Sequence, residues 1–232
     1  HAPLINGSTP SWDGNISEWS WHYGPDGSEQ TYAFSYDKLS QLMAVKQYVD
    51  GVANDLFVEK GLSYDKNGNI LTLERIANGM MADQLSYSYS GNQLSALSGS
   101  RTGTYAYDQV GNIIHDGAND LDLTYNPLNL LEKVEDNGLF YAGSLVYRKQ
   151  GETSSLESAA FAGGRLTVTS NTIEPYYHLT DHLGSVRCII DAKGQVLERN
   201  DYYPFGLRWE NVQQLVSDNR YRYNGKENQS FA

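Results

Sequence analysis

The residues best suited to chemistry lie close together at His178, Asp181 and His182. Two imidazoles and a carboxylate in five positions could hold a transition metal. The His-x3-His spacing suits one face of a helix, but this segment reads as strand and turn, so Asp181 is expected to hold backbone amides of the turn and Gly184 to supply its positive φ. His182 with Ser185 would make a base and nucleophile, yet the surrounding Leu183-Gly184-Ser185-Val186-Arg187 is no Gly-x-Ser-x-Gly elbow, and both are read as structural. Asp116, Asp120, Asp122, Glu132, Glu135 and Asp136 gather enough carboxyls for glycoside hydrolysis, which needs two of them at a defined separation across a cleft. Acidic residues near turns are more often solvated. Asp65, Gly68 and Asn69, with Asp108, Gly111 and Asn112, hint at a cation loop but lack the alternating oxygen ligands and closing Glu of an EF-hand. No catalytic residue, metal site or cofactor is therefore expected.

Exposed aromatics offer a different chemistry. Trp12, Trp19, Trp21 and Trp209 would stack on sugar rings if their faces were open, and would fill the sheet core if not. Core filling is the preferred reading.

Five tyrosines recur in one local grammar and must set the frame for all of these groups. Tyr36, Tyr64, Tyr89, Tyr107 and Tyr125 each precede a polar turn rich in Asp, Asn and Gly, and an aliphatic residue follows. The intervals are 28, 25, 18 and 18 residues, so the chain builds one kind of surface repeatedly, which favours a scaffold or binding surface over a single cleft. Alternation in Thr31–Tyr36, Tyr87-Ser88-Tyr89 and Tyr105-Ala106-Tyr107 places aromatic rings on one face of a strand. Gly68 and Gly111 are the expected turn formers, Asn67-Gly68 being suited to a tight hairpin. Ladders of Tyr64, Tyr89, Tyr107 and Tyr125 are expected to hold neighbouring hairpins together.

The fold class is all-β: an antiparallel sheet of successive hairpins, curling toward a partial shell or barrel. Three regions are distinguished: Trp-rich strands over 1–30, continuous with the sheet, repeat hairpins over 31–150, and a third region over 151–232 that opens on a less regular stretch, 151–174, and carries the core motifs of 176–227. Residues 151–155 read as a loop, and 211–218 carry the only helical pattern, one or two turns. The 232 residues suffice for a real core. Charged residues make up 19%, with Gly, Ser, Asn, Thr and 18 Tyr in their place, which suits half-wet pleated surfaces. A net charge of −11 argues against nucleic acid or anionic membrane as partner. No run is apolar enough for a membrane helix. Cys188 is the sole cysteine, so an intrachain disulfide is excluded and a buried, inert thiol is expected.

Residues 176–227 carry the most specific signal. Tyr176-Tyr177-His178-Leu179-Thr180-Asp181-His182-Leu183-Gly184-Ser185-Val186-Arg187 is followed by Asp191-Ala192-Lys193-Gly194-Gln195-Val196. Then come Asp201-Tyr202-Tyr203-Pro204-Phe205-Gly206 and Tyr221-Arg222-Tyr223-Asn224-Gly225-Lys226-Glu227. This closely resembles the RHS repeat-associated core that ends RHS/YD-repeat proteins, and with the tyrosine repeats the likeness spans about 30–227. Within it Asp181, His182, Gly184 and Arg187 are taken as turn and core-motif residues. The resemblance implies large bacterial polypeptides, secreted or at the cell surface, whose hairpins spiral into a long sheet. In toxin-bearing members the sheet closes around a C-terminal effector domain; some surface members are wall-associated or carbohydrate-binding. A sequence opening on His1 rather than Met and stopping at Ala232, before any cleavage motif or toxin, reads as a fragment or a short relative. The expected role is a non-enzymatic extracellular scaffold, with a carbohydrate-binding module as alternative and a hydrolase as a weaker one. Expected partners are a C-terminal effector of the same polypeptide and cell-surface carbohydrate, with self-association through open sheet edges.

Overall fold

In a computed structural model, described for residues 10–25, 27–134, 138–150, 153–169, 172–209 and 219–227, the chain is all-β apart from one 3₁₀ turn at Tyr223–Gly225. It divides into two compact units, residues 1–102 with Tyr203–Phe205, and residues 103–202 with 206–232. The helical pattern at 211–218 lies outside the described residues.

The first unit opens with a four-stranded sheet of β1 (Glu18–Trp21), β2 (Gln30–Tyr36), β3 (Leu42–Val49) and β4 (Val52–Ala53). It continues through β5 (Val58–Tyr64), β6 (Ile70–Ala77), β7 (Met80–Ser90) and β8 (Gln93–Gly99), each paired antiparallel with the next. The second unit runs through β9 (Gly103–Tyr107), β10 (Ile113–Asp116), β11 (Leu121–Tyr125), β12 (Leu131–Val134), β13 (Leu139–Ala142) and β14 (Leu145–Gln150). It ends with β15 (Thr153–Phe161), β16 (Gly164–Thr169), β17 (Thr172–Thr180), β18 (Val186–Ile190) and β19 (Val196–Arg199). These strands too pair antiparallel in chain order, and among the described residues no pairing joins β19 to β9, so this run is open and not a closed barrel. Thr153–Ser155, expected in a loop, instead form the start of β15, where they pair with Arg148–Gln150 and their backbone polar groups join the ladder.

Strand alternation explains which side chains turn inward. In β7, Asp83, Leu85, Tyr87 and Tyr89 are buried or half-buried, while Gln84, Ser86, Ser88 and Ser90 are exposed. Tyr32, Val45, Phe57, Leu62, Leu73 and Leu85 form much of the first unit's core; Leu121, Val134, Leu139, Val146, Ile189 and Tyr202 do so in the second.

The repeat tyrosines occupy one position in this scheme. Tyr36, Tyr64, Tyr107 and Tyr125 end β2, β5, β9 and β11, and the aliphatic residue after each turn lies at or near the start of the return strand: Leu42, Ile70, Ile113 and Leu131. Tyr89 lies one residue before the end of β7. The hydroxyls then reach back to a preceding segment. Tyr36 Oη donates to Ile16 O at 3.0 Å, Tyr64 Oη to Leu42 O at 2.6 Å and Tyr89 Oη to Ile70 O at 2.9 Å. Leu42 and Ile70 are the aliphatic residues that close the preceding turn, so Tyr64 and Tyr89 each fasten their own repeat to the previous one. Phenylalanine would fill the same space but leave that carbonyl without its partner. Tyr64→Phe should lower stability by about 1 kcal/mol, read as a lower denaturant midpoint at unchanged slope; an unchanged midpoint would show that the hydroxyl adds nothing.

Candidate functional site

The conspicuous polar residues of the sequence converge on two places: the row of hairpin turns and a knot of side chains joining the three core motifs. The turns share one geometry. Asp37 Oδ1 accepts the N–H groups of Leu39 and Gln41 at 2.8 and 2.9 Å. Asp65 does the same for Asn67 and Asn69, Asp108 for Val110 and Asn112, and Asn126 for Leu128 and Leu130. In each, the N–H three residues on donates to the first residue's carbonyl, and the first residue's N–H to the carbonyl of the fifth. The fourth residue has positive φ: Ser40 62°, Gly68 85°, Gly111 96° and Asn129 58°.

Asp181 and Asp191 build the same loop. Asp181 Oδ1 takes the N–H groups of Leu183 and Ser185 at 3.0 Å each, and Asp191 Oδ1 those of Lys193 and Gln195 at 2.8 Å each, with Gly184 and Gly194 at φ 83° and 78°. The period in tyrosine did not single these copies out as repeats, because Thr180 and Ile190 stand where the others have Tyr. The third copy departs the other way: Ser90 pairs directly with Gln93, and Gly91 at φ 62° starts a two-residue hairpin. The Asn67-Gly68 pair, suited to a tight hairpin, lies instead inside the five-residue Asp65 loop, where only the glycine has positive φ.

Adjacent turns are also tied through amide side chains. Asn67 and Asn69 Nδ2 both donate to Asn92 Oδ1 at 3.1 Å, and Asn112 Nδ2 donates to Asn129 Oδ1 at 3.2 Å. Asn69 and Asn112 donate as well to the second oxygens of Asp65 and Asp108, at 2.8 Å each. These amide bonds, with the backbone N–H groups, hold both carboxyls below their ordinary pKa of 3.8.

The knot lies in the second unit. Asp181 Oδ2 accepts from Arg187 Nε at 3.1 Å, and Arg187 donates onward to Asn200 O at 3.1 Å and Asp201 Oδ1 at 3.3 Å. Its guanidinium stands 5.5 Å from the centre of the Tyr202 ring, over its face. Tyr202 Oη and Asn200 Nδ2 both donate to Val186 O, at 2.7 and 3.1 Å. The Val186 N–H donates to Arg222 O at 2.8 Å, and Ser185 Oγ exchanges hydrogen bonds with the Asn224 side chain and N–H at 3.1 Å each. Arg222 grips the fully buried Glu198 at 2.8 and 3.3 Å. A Cβ on Gly206, which has φ 88°, would lie 2.3 Å from the Tyr223 ring, so this position admits only glycine. Arg187 and Asp181 thus meet in one ion pair. Glu198, Asn200 and Asp201, which complete the knot, fall in no repeat that sequence periodicity could reveal.

The other candidate groups are placed elsewhere. His182 is exposed, whereas His178 lies half-buried on β17, its Nε2 without a hydrogen-bond partner and its pKa lowered chiefly by burial, then by the Arg165 charge. Among the described residues no three His, Cys, Asp or Glu side chains gather in a way that would hold a metal. Asp116 caps its own turn at Ala118 and Asn119, and Asp122 pairs with His115 at 2.7 Å; Glu135 and Asp136 lie outside the described residues. Cys188 is half-buried, with its thiol pKa raised mainly by burial. Trp209 is 4% exposed and so unavailable for sugar stacking: its ring fills the core, and its backbone N–H donates to Asp201 O. Trp19 and Trp21 pack on each other with ring centres 5.5 Å apart, and Trp21 packs on Tyr32. Trp12 alone of the four stands open, 88% exposed, beside a notch of about 620 Å³ that Asp13, Phe34, Tyr36 and Asp37 help to line.

Tyrosine-ended hairpins, Asp-capped loops and antiparallel pairing in chain order define a YD-repeat shell protein. The chain belongs to the Teneurin YD-shell family, which matches residues 11–155, in agreement with the RHS/YD-repeat resemblance of its motifs. It is 27% identical over 211 residues to the tRNA3(Ser)-specific nuclease WapA of Bacillus spizizenii, a match covering 86% of this chain and 8% of that protein. Among solved structures it is similar to the TcdB2-TccC3 complex, at 16% identity and a TM-score of 0.42, over 86% of this chain and 16% of that one. A pore-state Tc holotoxin of Photorhabdus luminescens gives 12% identity and a TM-score of 0.29, over 97% and 20%. The chain therefore spans less than a tenth of the curated relative's length.

Two measurements test the turns. No atom lies within 4 Å of a Cβ built on Gly184, so a Cβ there meets no clash and its cost is set by the positive φ. Gly184→Val should destabilise by about 1–2 kcal/mol and Gly184→Asn by clearly less, because Asn tolerates the left-handed region. Equal losses in thermal melts would remove the special role of φ. Depressed carboxyl pKa values contribute stability that is present above the unfolded value and lost as pH falls through the folded one. The chain should therefore lose stability below about pH 4, and the double variant Asp65→Asn, Asp108→Asn should lose less over that range; parallel acid curves would show that these turns do not sense pH.

Proposed function

We propose that this chain is a non-enzymatic wall segment of a YD-repeat shell, in a bacterial polypeptide that is secreted or displayed at the cell surface. The observation that carries this reading is where the reactive side chains are used. Asp37, Asp65, Asp108, Asp181 and Asp191 cap backbone amides, and Arg187 ties β18 to the segment after β19. Such groups stiffen a surface and leave little to bind or turn over a substrate. The natural cargo for such a wall is a C-terminal effector of the same polypeptide, sheltered while the repeats are intact. Family membership and the likeness to a nuclease-bearing protein support this reading. In a polypeptide carrying these repeats and an effector, native proteolysis should spare the effector, and deleting residues 31–150 should expose it. An effector cleaved equally fast in both would rule out a protective wall. Any hydrolytic activity of the chain itself should survive His182→Ala.

A second reading rests on Trp12. An open indole beside carboxylates and hydroxyls suits a neutral sugar, stacking on the ring face and hydrogen-bonding at its rim. Glycans should then quench tryptophan fluorescence saturably, and Trp12→Ala should abolish the response; quenching that persists in the variant would place the sugar elsewhere.

A further inference from the structure

The first unit contains three residues about a hundred positions beyond its own strands: Tyr203, Pro204 and Phe205. Their neighbours in sequence, Tyr202 and Gly206, belong to the second unit. Tyr203 is 2% exposed. Its hydroxyl donates to Ile76 O at 2.5 Å, its ring centre lies 6.4 Å from that of Phe57, and the Arg75 guanidinium stands 5.3 Å from the ring centre over its face. The Phe205 N–H donates to Glu59 Oε2 at 3.3 Å, while the Phe205 side chain is 43% exposed.

The receiving surface is formed by side chains of β5, β6 and β7. Glu59 on β5 is paired with Arg75 on β6, and Val58 with Ile76. Glu59 is 0% exposed; its Oε1 accepts from Arg75 Nε and Nη2 at 3.1 and 2.8 Å, and Arg75 also pairs with Asp83. The guanidinium is thereby fixed as a flat cation for a ring to lie against. Oε2 is left facing the incoming amide, the donor that reaches it among the described residues. A bulge between Arg75 and Ile76 interrupts the β6–β7 ladder beside the carbonyl that takes the phenol. A buried cation face, a carbonyl beside a bulge and a buried carboxylate oxygen together read a tyrosine side chain and the amide two residues after it. Proline between them restricts the backbone that must span the two contacts.

We propose that β5 and β6 form a recognition site for a tyrosyl-prolyl peptide, filled here by Tyr203–Phe205, and able to take the same segment from a second copy of the chain when its own is withdrawn. This inference is independent of the shell reading. Tyr203→Ala in the full chain should vacate the site. A labelled synthetic peptide of residues 200–207 should then bind that variant at least about tenfold more tightly than the unaltered chain, whose site is occupied. The same peptide with Phe at its Tyr203 position should bind more weakly, and adding Glu59→Gln to the Tyr203→Ala chain should weaken binding again. Equal binding to the Tyr203→Ala and unaltered chains, or none to either, would overturn separable recognition, provided that Tyr203→Ala is folded. Should Tyr203→Ala fail to fold, Tyr203→Phe in the full chain decides. It should speed amide exchange about tenfold over 58–64 and 70–77 and leave 153–169 unchanged; uniform or absent change would overturn the site.

Discussion

A side-chain oxygen accepting two backbone N–H groups closes hairpin after hairpin in this chain, and the remaining architecture depends on that one arrangement. A five-residue loop between strands leaves amides that point into its own interior, out of reach of the strand ladder. Asp37, Asp65, Asp108, Asp181 and Asp191, with Asn126 in the same role, each satisfy two. The fourth loop residue must then take positive φ, which is why Gly, Asn or Ser occupies it. Each loop also sets register: Tyr36 pairs with Leu42, Tyr64 with Ile70, Tyr107 with Ile113 and Tyr125 with Leu131, with a bulge beside each pair. Because a slip of one residue would turn every side chain to the opposite face, an identical loop repeated along the chain keeps the inward rows inward.

Register within a hairpin does not by itself fix one hairpin against another. In the first unit the β6–β7 ladder shares that task with phenol hydroxyls on the carbonyls of Ile16, Leu42 and Ile70, and with side-chain amide hydrogen bonds between neighbouring turns. Tyrosine meets two demands at once, a ring to cover the sheet and a polar tip that reaches a backbone group. This explains the excess of Tyr over Phe, 18 to 6, better than aromatic stacking alone.

Charge is distributed unevenly across the fold. Many of the described aspartates lie at turns, whereas Glu59 and Glu198 are fully buried and held by Arg75 and Arg222. Replacing such pairs with apolar residues is often neutral or stabilising, but removing one partner is costly. Both pairs join segments remote in sequence or order a surface that receives one. Arg222 meets Glu198 across 24 positions, and the Glu59–Arg75 pair receives a residue 146 positions beyond Glu59. Their requirement for a specific partner favours one arrangement of these segments over looser apolar contacts.

The sequence by itself determined the elements that act locally. Tyrosine spacing, Asp-to-Gly turn chemistry and strand alternation depend on residues fewer than about ten apart, so the all-β class and the antiparallel sheet of successive hairpins were legible there. Asp191 escaped the tyrosine period because its loop follows Ile190, although its chemistry is identical. The exposure of each tryptophan could not be read, since Trp12 and Trp209 differ only in what tertiary packing places over them. Only the tertiary structure decided that Glu59 and Arg75 serve a distant Tyr203, and that Glu198 and Asn200 complete the knot around Arg187 and Val186. Those contacts join residues from 13 to 146 positions apart, and no local pattern encodes them: their partners are selected by burial, which leaves each charge and carbonyl only the groups that folding brings within reach.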